Sequence, residues 1–222
     1  MHFPYDEKRK VFLQQDGFLD KEIIPAASLP PEERPINQHW SWDRILRSCY
    51  IKQADVLQGL YLFEDQFDTE TIKRNFDFYE PITVHESSLS ACVHSVLASR
   101  IGMIEKAYEL YLRTARLDLD DYNKEVDDGL HITSMAGTWL SIVEGFGGMR
   151  ILDGKVLLQP LIPDKWSSYL FHARYRGQLF EVTVSKKDVW IRNLSLQPLT
   201  MVLSAKEYVI EADSSLFINL KN

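Results

Sequence analysis

Apolar residues recur every three to four positions through the middle of the chain and every two positions in its last third. From Trp40 onward the helical spacing predicts segments near 41–48, 54–64, 69–79, 88–101, 104–117 and 133–146. The pattern is clearest in Leu89, Cys92, Val93, Val96, Leu97 and Ile101, and again in Met135, Trp139, Ile142, Val143 and Phe146. Asp68 is placed to cap the third segment, Pro81 to stop it, and Gly102 to divide the fourth from the fifth. Helices joined by such short connections pack as antiparallel neighbours.

After Gly145-Phe146-Gly147-Gly148 the period falls to two, which marks a change of architecture. Asp153-Gly154 reads as a hairpin turn between Met149–Leu152 and Lys155–Leu158, and Arg176-Gly177 separates Tyr169–Tyr175 from Leu179–Val184. Further strands are expected at Val189–Asn193, Met201–Ser204, Glu207–Glu211 and Leu216–Leu220, which together make a small antiparallel β-sandwich. The first forty residues differ from both regions. They hold Pro25, Pro30, Pro31 and Pro35, with Phe3, Tyr5, Phe12 and Phe18 at no regular period, and read as extended chain laid over a surface. That surface is expected to belong to a domain beginning before Met1. The expected fold is mainly α with a β-rich C-terminal domain, helical over 1–148 and β over 149–222.

The 222 residues carry a net charge of -7, with the basic residues scattered, which argues against nucleic acid or an anionic membrane as the main partner. No apolar run reaches membrane-spanning length and the first residues lack a basic-then-apolar signal, so a cytoplasmic location is expected. Cys49 and Cys92, the two cysteines, fall on helical segments without the spacing of a zinc site, and read as buried free thiols. No metal is expected.

The chemistry concentrates at loop-to-helix junctions. Val84-His85-Glu86-Ser87-Ser88-Leu89-Ser90 sets three hydroxyls, an imidazole and a carboxylate beside a helix start, where unpaired N–H groups suit an anion. A simpler reading makes Ser87 a helix cap. Lys52 and Gln53 offer an ammonium and an amide suited to sugar hydroxyls or an oxyanion, or are merely exposed polar residues. His131, after Gly129 and just ahead of a helix, is a second anion candidate or a satisfied core histidine. Asp127 and Asp128 oppose an anion there unless they turn away, to bind hydroxyls or brace His131. Glu86 is a candidate base, Glu144 reads as a structural brace, and Asp118, Asp120 and Asp121 read as a solvated acidic turn. Phosphate-loop, dinucleotide, nucleophile-elbow and His-Glu-x-x-His motifs are missing from the sequence.

Five stretches together resemble glycoside hydrolase family 65: Phe3-Pro4-Tyr5-Asp6-Glu7, Gln15-Asp16-Gly17-Phe18, Ile51-Lys52-Gln53-Ala54-Asp55-Val56, His85-Glu86-Ser87-Ser88-Leu89-Ser90 and Asp128-Gly129-Leu130-His131-Ile132-Thr133. The resemblance covers essentially the whole chain. It implies that the six helices are about half of an (α/α)6 barrel, that the aromatic start is a barrel segment, and that a small β domain follows. It implies an inverting disaccharide phosphorylase, in which inorganic phosphate attacks the anomeric carbon of an α-glucoside to give β-glucose 1-phosphate and glucose. No cofactor is implied, phosphate being a co-substrate, and the full-length protein is expected to be a homodimer. By the same resemblance Lys52 and Gln53 hold the glucosyl unit, Ser87, Ser88 and His131 bind phosphate, and Gly129 and Thr133 line that pocket. The glutamic acid that protonates the leaving oxygen is expected upstream, so no catalytic residue is assigned in this chain and the chain alone is expected to be inactive. Two alternatives stand beside this reading: part of a trehalose-type inverting hydrolase with Glu86 as the water-activating base, and a non-catalytic remnant that binds carbohydrate or a partner through its sandwich.

Overall fold

The computed structural model describes residues 3–122 and 124–220, with the side chain of Asp128 outside that description. The chain forms two compact units, one ending at Trp139 and the other beginning at Leu140.

The first unit opens with a minimal hairpin, β1 (Tyr5–Asp6) and β2 (Val11–Phe12), and continues through α1 (Ile36–His39), α2 (Trp42–Arg47), α3 (Asp55–Leu62), α4 (Thr69–Tyr79), α5 (Ala91–Arg100), α6 (Ile104–Ala115), α7 (Leu117–Asp120) and α8 (Ile132–Leu140). Local chemistry sets several of these boundaries. The Asp68 carboxylate accepts the Thr71 N–H at 2.6 Å and caps α4. Gly102, at φ 78°, turns the chain between α5 and α6. Helix α5 is buried from Ala91 to Ser99. Its polar Ser95 is satisfied by donating to the Ala107 carbonyl at 2.8 Å.

The proline-rich start covers helices of its own unit. Phe18 is fully buried against Phe78 and Tyr79. The Asn75 side chain accepts the Phe12 N–H at 2.9 Å, and the Tyr79 hydroxyl donates to the Phe12 carbonyl at 2.7 Å. Phe18 and the Phe12 backbone are therefore held on α4, within this chain, whereas Phe3 and Tyr5 remain exposed.

Two further elements differ from their predicted form. Helix α5 begins at Ala91, later than the pattern suggested, and Ser90 at its N-cap makes no capping bond because its hydroxyl is engaged by the His85 ring. Ser87 instead accepts the Leu89 N–H at 3.2 Å, within a turn ahead of the helix, so it does not cap α5. The single helix expected near 133–146 is α-helical to Leu140 and a π-helix over Ser141–Phe146.

The second unit holds β3 (Arg150–Leu152), β4 (Lys155–Leu158), β5 (Ser168–Tyr175), β6 (Gln178–Ser185), β7 (Asp188–Asn193), β8 (Leu199–Leu203), β9 (Lys206–Ile210) and β10 (Ser215–Asn219). One sheet runs β10-β7-β6-β5 and the other β3-β4-β8-β9. Their inner faces share a core that includes Val156, Phe171, Phe180, Val182, Ile191 and Met201. Asp153 and Gly154 both take positive φ, 50° and 73°, as a two-residue hairpin of this kind requires. The sandwich is not wholly antiparallel. After Leu158 the chain crosses to build the other sheet, and it returns as β8 parallel to β4, with Val156 opposite Met201. Among the described residues no helix is long and apolar enough to cross a membrane.

Candidate functional site

A short parallel bridge between Ile51 and Thr83 organises the site. The Ile51 N–H donates to the Ile82 carbonyl at 3.0 Å and the Val84 N–H to the Ile51 carbonyl at 2.9 Å, which lays Lys52-Gln53 alongside the Val84–Ser90 stretch. The Ser87 hydroxyl then donates to Gln53 Oε1 at 3.0 Å. The Ser88 hydroxyl meets Thr133 Oγ1 at 2.6 Å. Three stretches distant in sequence thus converge on one serine pair. Gln53 also hydrogen-bonds the Asp55 carboxylate, whose titration burial raises against the bonds from Gln14 and Gln53. Lys52 is exposed.

His131 precedes α8, and its carbonyl accepts the Ser134 and Met135 N–H groups that begin the helix. Its ring is held by carboxylates: Nδ1 lies 2.5 Å from Asp118 Oδ1, and Nε2 lies 3.6 Å from Glu125 Oε2. The His131 N–H donates to the other Asp118 oxygen at 2.9 Å. That backbone bond, then the ring bond, holds the Asp118 carboxyl below the usual range. Asp118 is therefore the brace of His131 and not part of a solvated acidic turn. Asp127 is exposed, and Gly129, also exposed, adopts φ 118° and ψ -177°, a backbone geometry open to glycine and hardly to other residues.

Glu86 is buried. Its Oε2 accepts the Ile36 N–H at 2.8 Å, while Oε1 is enclosed without a hydrogen-bond partner among the described residues. Burial pushes its carboxyl up, against the Ile36 bond and the charges of Arg34, Lys52 and Arg113.

Beneath the serine turn lies a polar cluster that the sequence pattern did not single out. His85 takes φ 55°. Its Nδ1 meets Ser90 Oγ at 2.8 Å and its Nε2 meets Glu80 Oε2 at 3.0 Å. From α6, Lys106 Nζ reaches Glu80 Oε1 at 2.7 Å and Arg113 donates to the His85 carbonyl at 2.9 Å. His94, fully buried, packs edge-on to the His85 ring with centroids 4.6 Å apart. Glu80, His85 and His94 bring three donor atoms within 4.8 Å of one another, close enough for a metal ion. However, the Lys106 ammonium already balances the carboxylate, and a further buried cation beside Lys106 and Arg113 is electrostatically disfavoured. Glu80, His94, Lys106, Arg113, Asp118 and Glu125 are the residues of this region that sequence reasoning missed. The one available signal was His85, which stands inside the hydroxyl-rich stretch.

The sequence matches the family model for the glycosyl hydrolase family 65 central catalytic domain over residues 1–140 and that for the family 65 C-terminal domain over residues 149–210. The chain belongs to glycosyl hydrolase family 65. Among family 65 proteins it is similar to the maltose phosphorylase of Bacillus subtilis (strain 168), with 51% identity over 95% of this chain and 28% of the relative. It is 40% identical to the α,α-trehalose phosphorylase of Thermoanaerobacter brockii, over 95% of this chain and 27% of that protein. A solved structure from the human microbiome, provisionally assigned as a kojibiose phosphorylase, superimposes with a TM-score of 0.90 at 38% identity, covering 99% of this chain and 29% of its own. This family 65 chain thus spans less than a third of the length of these relatives.

Proposed function

We propose that this chain is the C-terminal portion of an inverting disaccharide phosphorylase of the maltose phosphorylase kind. The reaction converts an α-glucoside and phosphate to β-glucose 1-phosphate and glucose. Lys52 and Gln53 hold the glucosyl unit, and Ser87, Ser88, Thr133, Gly129 and His131 hold the phosphate that attacks its anomeric carbon. The observation that carries the reading is the pair of hydroxyl bonds, Ser87 to Gln53 and Ser88 to Thr133, which ties the sugar stretch to both halves of the phosphate stretch. A reaction that joins a sugar carbon to a phosphate oxygen needs those groups side by side.

Each element of the cradle suits an anion. Hydroxyl protons rotate, so Ser88 and Thr133 can turn theirs toward phosphate oxygens. Asp118 accepts from Nδ1 of His131 and so fixes the ring, whose Nε2 stands 3.6 Å from Glu125, beyond hydrogen-bond distance, and is left to bond the phosphate. Phosphate takes the place of base-activated water, and the reaction therefore needs a single carboxyl group, the proton donor to the leaving oxygen. In this reading that donor belongs to a segment preceding the chain, and no cofactor takes part. The hydrolase alternative asks Glu86 to activate water, and with one oxygen on Ile36 and the other enclosed it is the weaker reading.

The test exchanges this chain for the matching segment of the Bacillus subtilis relative and compares Ser88→Ala with the unmodified exchange. Losing one phosphate contact is expected to raise the KM for phosphate roughly tenfold while the disaccharide KM stays within about twofold. Equal changes in the two constants would argue against a phosphate role for Ser88.

A further inference from the structure

We infer that His85 is a positioning residue for the phosphate half of the site, fixing through its ring where Ser87 and Ser88 stand. The inference rests on the phosphate reading of those serines. Its basis is the arrangement of anchors around one residue. His85 sits at the left-handed φ of 55°, a conformation unfavourable for a non-glycine residue that the bonds around it hold in place.

Three anchors do so. The carbonyl accepts from Arg113, Nε2 bonds Glu80, and Nδ1 bonds Ser90. The last of these spans the serine turn. It ties residue 85 to residue 90, so that Ser87 and Ser88 are carried between two fixed ends, with Glu86 pinned separately on Ile36. Glu80 is itself held by Lys106 of α6, so the turn is fixed to a second helix through a half-buried ion pair.

Stability alone does not call for this construction. A buried ionic network is commonly matched or bettered by apolar packing, whereas its directional bonds fix geometry. Geometry is what a phosphate cradle needs, since a displacement of about 1 Å in positioning groups weakens catalysis by orders of magnitude. His85 touches neither substrate in this arrangement and acts through the serines.

The test uses the same segment exchange. His85→Asn keeps a residue that tolerates the left-handed backbone but shortens the side chain, so that it no longer bridges Glu80 and Ser90. The expected result is a rise in the KM for phosphate of roughly tenfold with the disaccharide KM within about twofold, the signature of a displaced phosphate contact. Ser90→Ala removes only the partner of Nδ1 and should give a smaller rise in the same direction; it decides the matter if His85→Asn does not fold. An unchanged phosphate KM in the folded variants, or both constants rising together, would overturn the positioning role. If Ser88→Ala also leaves the phosphate KM unchanged, the phosphate site itself falls and the inference with it. A Ser88→Ala effect without a His85→Asn effect removes the positioning role alone.

Discussion

Ser88 Oγ and Thr133 Oγ1 lie 2.6 Å apart, joining the turn before α5 to the first turn of α8. Under the proposed phosphate role, two hydroxyls that satisfy each other and face one ligand are energetically coupled. Ser88→Ala and Thr133→Val should therefore raise the phosphate KM non-additively, with a coupling of about 0.5–3 kcal/mol in a double-mutant cycle. Strict additivity would mean that the two hydroxyls serve separate sites.

Glu86 offers the sharpest distinction between phosphorolysis and hydrolysis. In Glu86→Gln the amide oxygen can still accept the Ile36 N–H, so phosphorolysis should keep its kcat to within about threefold, whereas loss of a general base costs about 10²–10⁴-fold. Steady-state rates of the variant with saturating phosphate separate the two outcomes.

Gly137 sets the approach of α8, which carries Thr133, to α5. A Cβ there would lie 2.7 Å from Cys92 Cβ and 2.9 Å from its sulfur. Gly137→Ala should destabilise the chain by about 1–3 kcal/mol through overpacking, as read by urea unfolding. Gly59 in α3 has nothing within 4 Å of the same position, and Gly59→Ala should instead leave stability unchanged or raise it by up to about 1 kcal/mol.

Acid should unfold the first unit through two of its buried groups. Burial alone would raise the Glu80 carboxyl, but the bond and charge of His85, the charge of His94 and the Lys106 bond bring it down to about 2. Burial, with the charge of His85, brings His94 down to about 3. Both groups take up protons more readily when unfolded, near 4.5 and 6.5 respectively, so their stabilisation is complete above those values and disappears on acidification. His94 acts as pH falls from 6.5 toward 3, and Glu80 from 4.5 toward 2. Urea midpoints should fall between pH 7 and pH 5, and His94→Gln should flatten that limb; identical slopes in the variant would exclude His94 as its source. At pH 7, Glu80→Gln leaves the half-buried Lys106 with Glu109 as its remaining carboxylate and should cost about 1–3 kcal/mol.

What could be read in the sequence was local. Asp68 as a cap, Gly102 as a helix divider and Asp153-Gly154 as a hairpin turn each depend on residues within a few positions, and all three are present as expected. The start of α5 was misplaced because Leu89 continues the apolar period while the Ser90 hydroxyl is drawn off by His85, a contact that no periodicity encodes. Phe18 could be seen to need a surface, but the sequence did not name Tyr79 as that surface. Alternation revealed β4 and β8 as strands, yet the parallel pairing between them depends on the path of the whole sandwich. Asp118 holding His131, and Lys106 holding Glu80, are charge pairs between separate elements, and charge alone left Asp118 looking solvated. At the serines, local pattern favoured a cap; only the family resemblance joined Ser87 and Ser88 to Gln53 and Thr133.

If this chain supplies the phosphate side of a phosphorolytic site, as proposed, the most direct measurement follows the product. With this chain exchanged into the Bacillus subtilis relative and maltose as substrate, proton and phosphorus NMR should show β-glucose 1-phosphate forming together with glucose only when phosphate is present. Release of free glucose alone, at a rate independent of phosphate, would contradict the account.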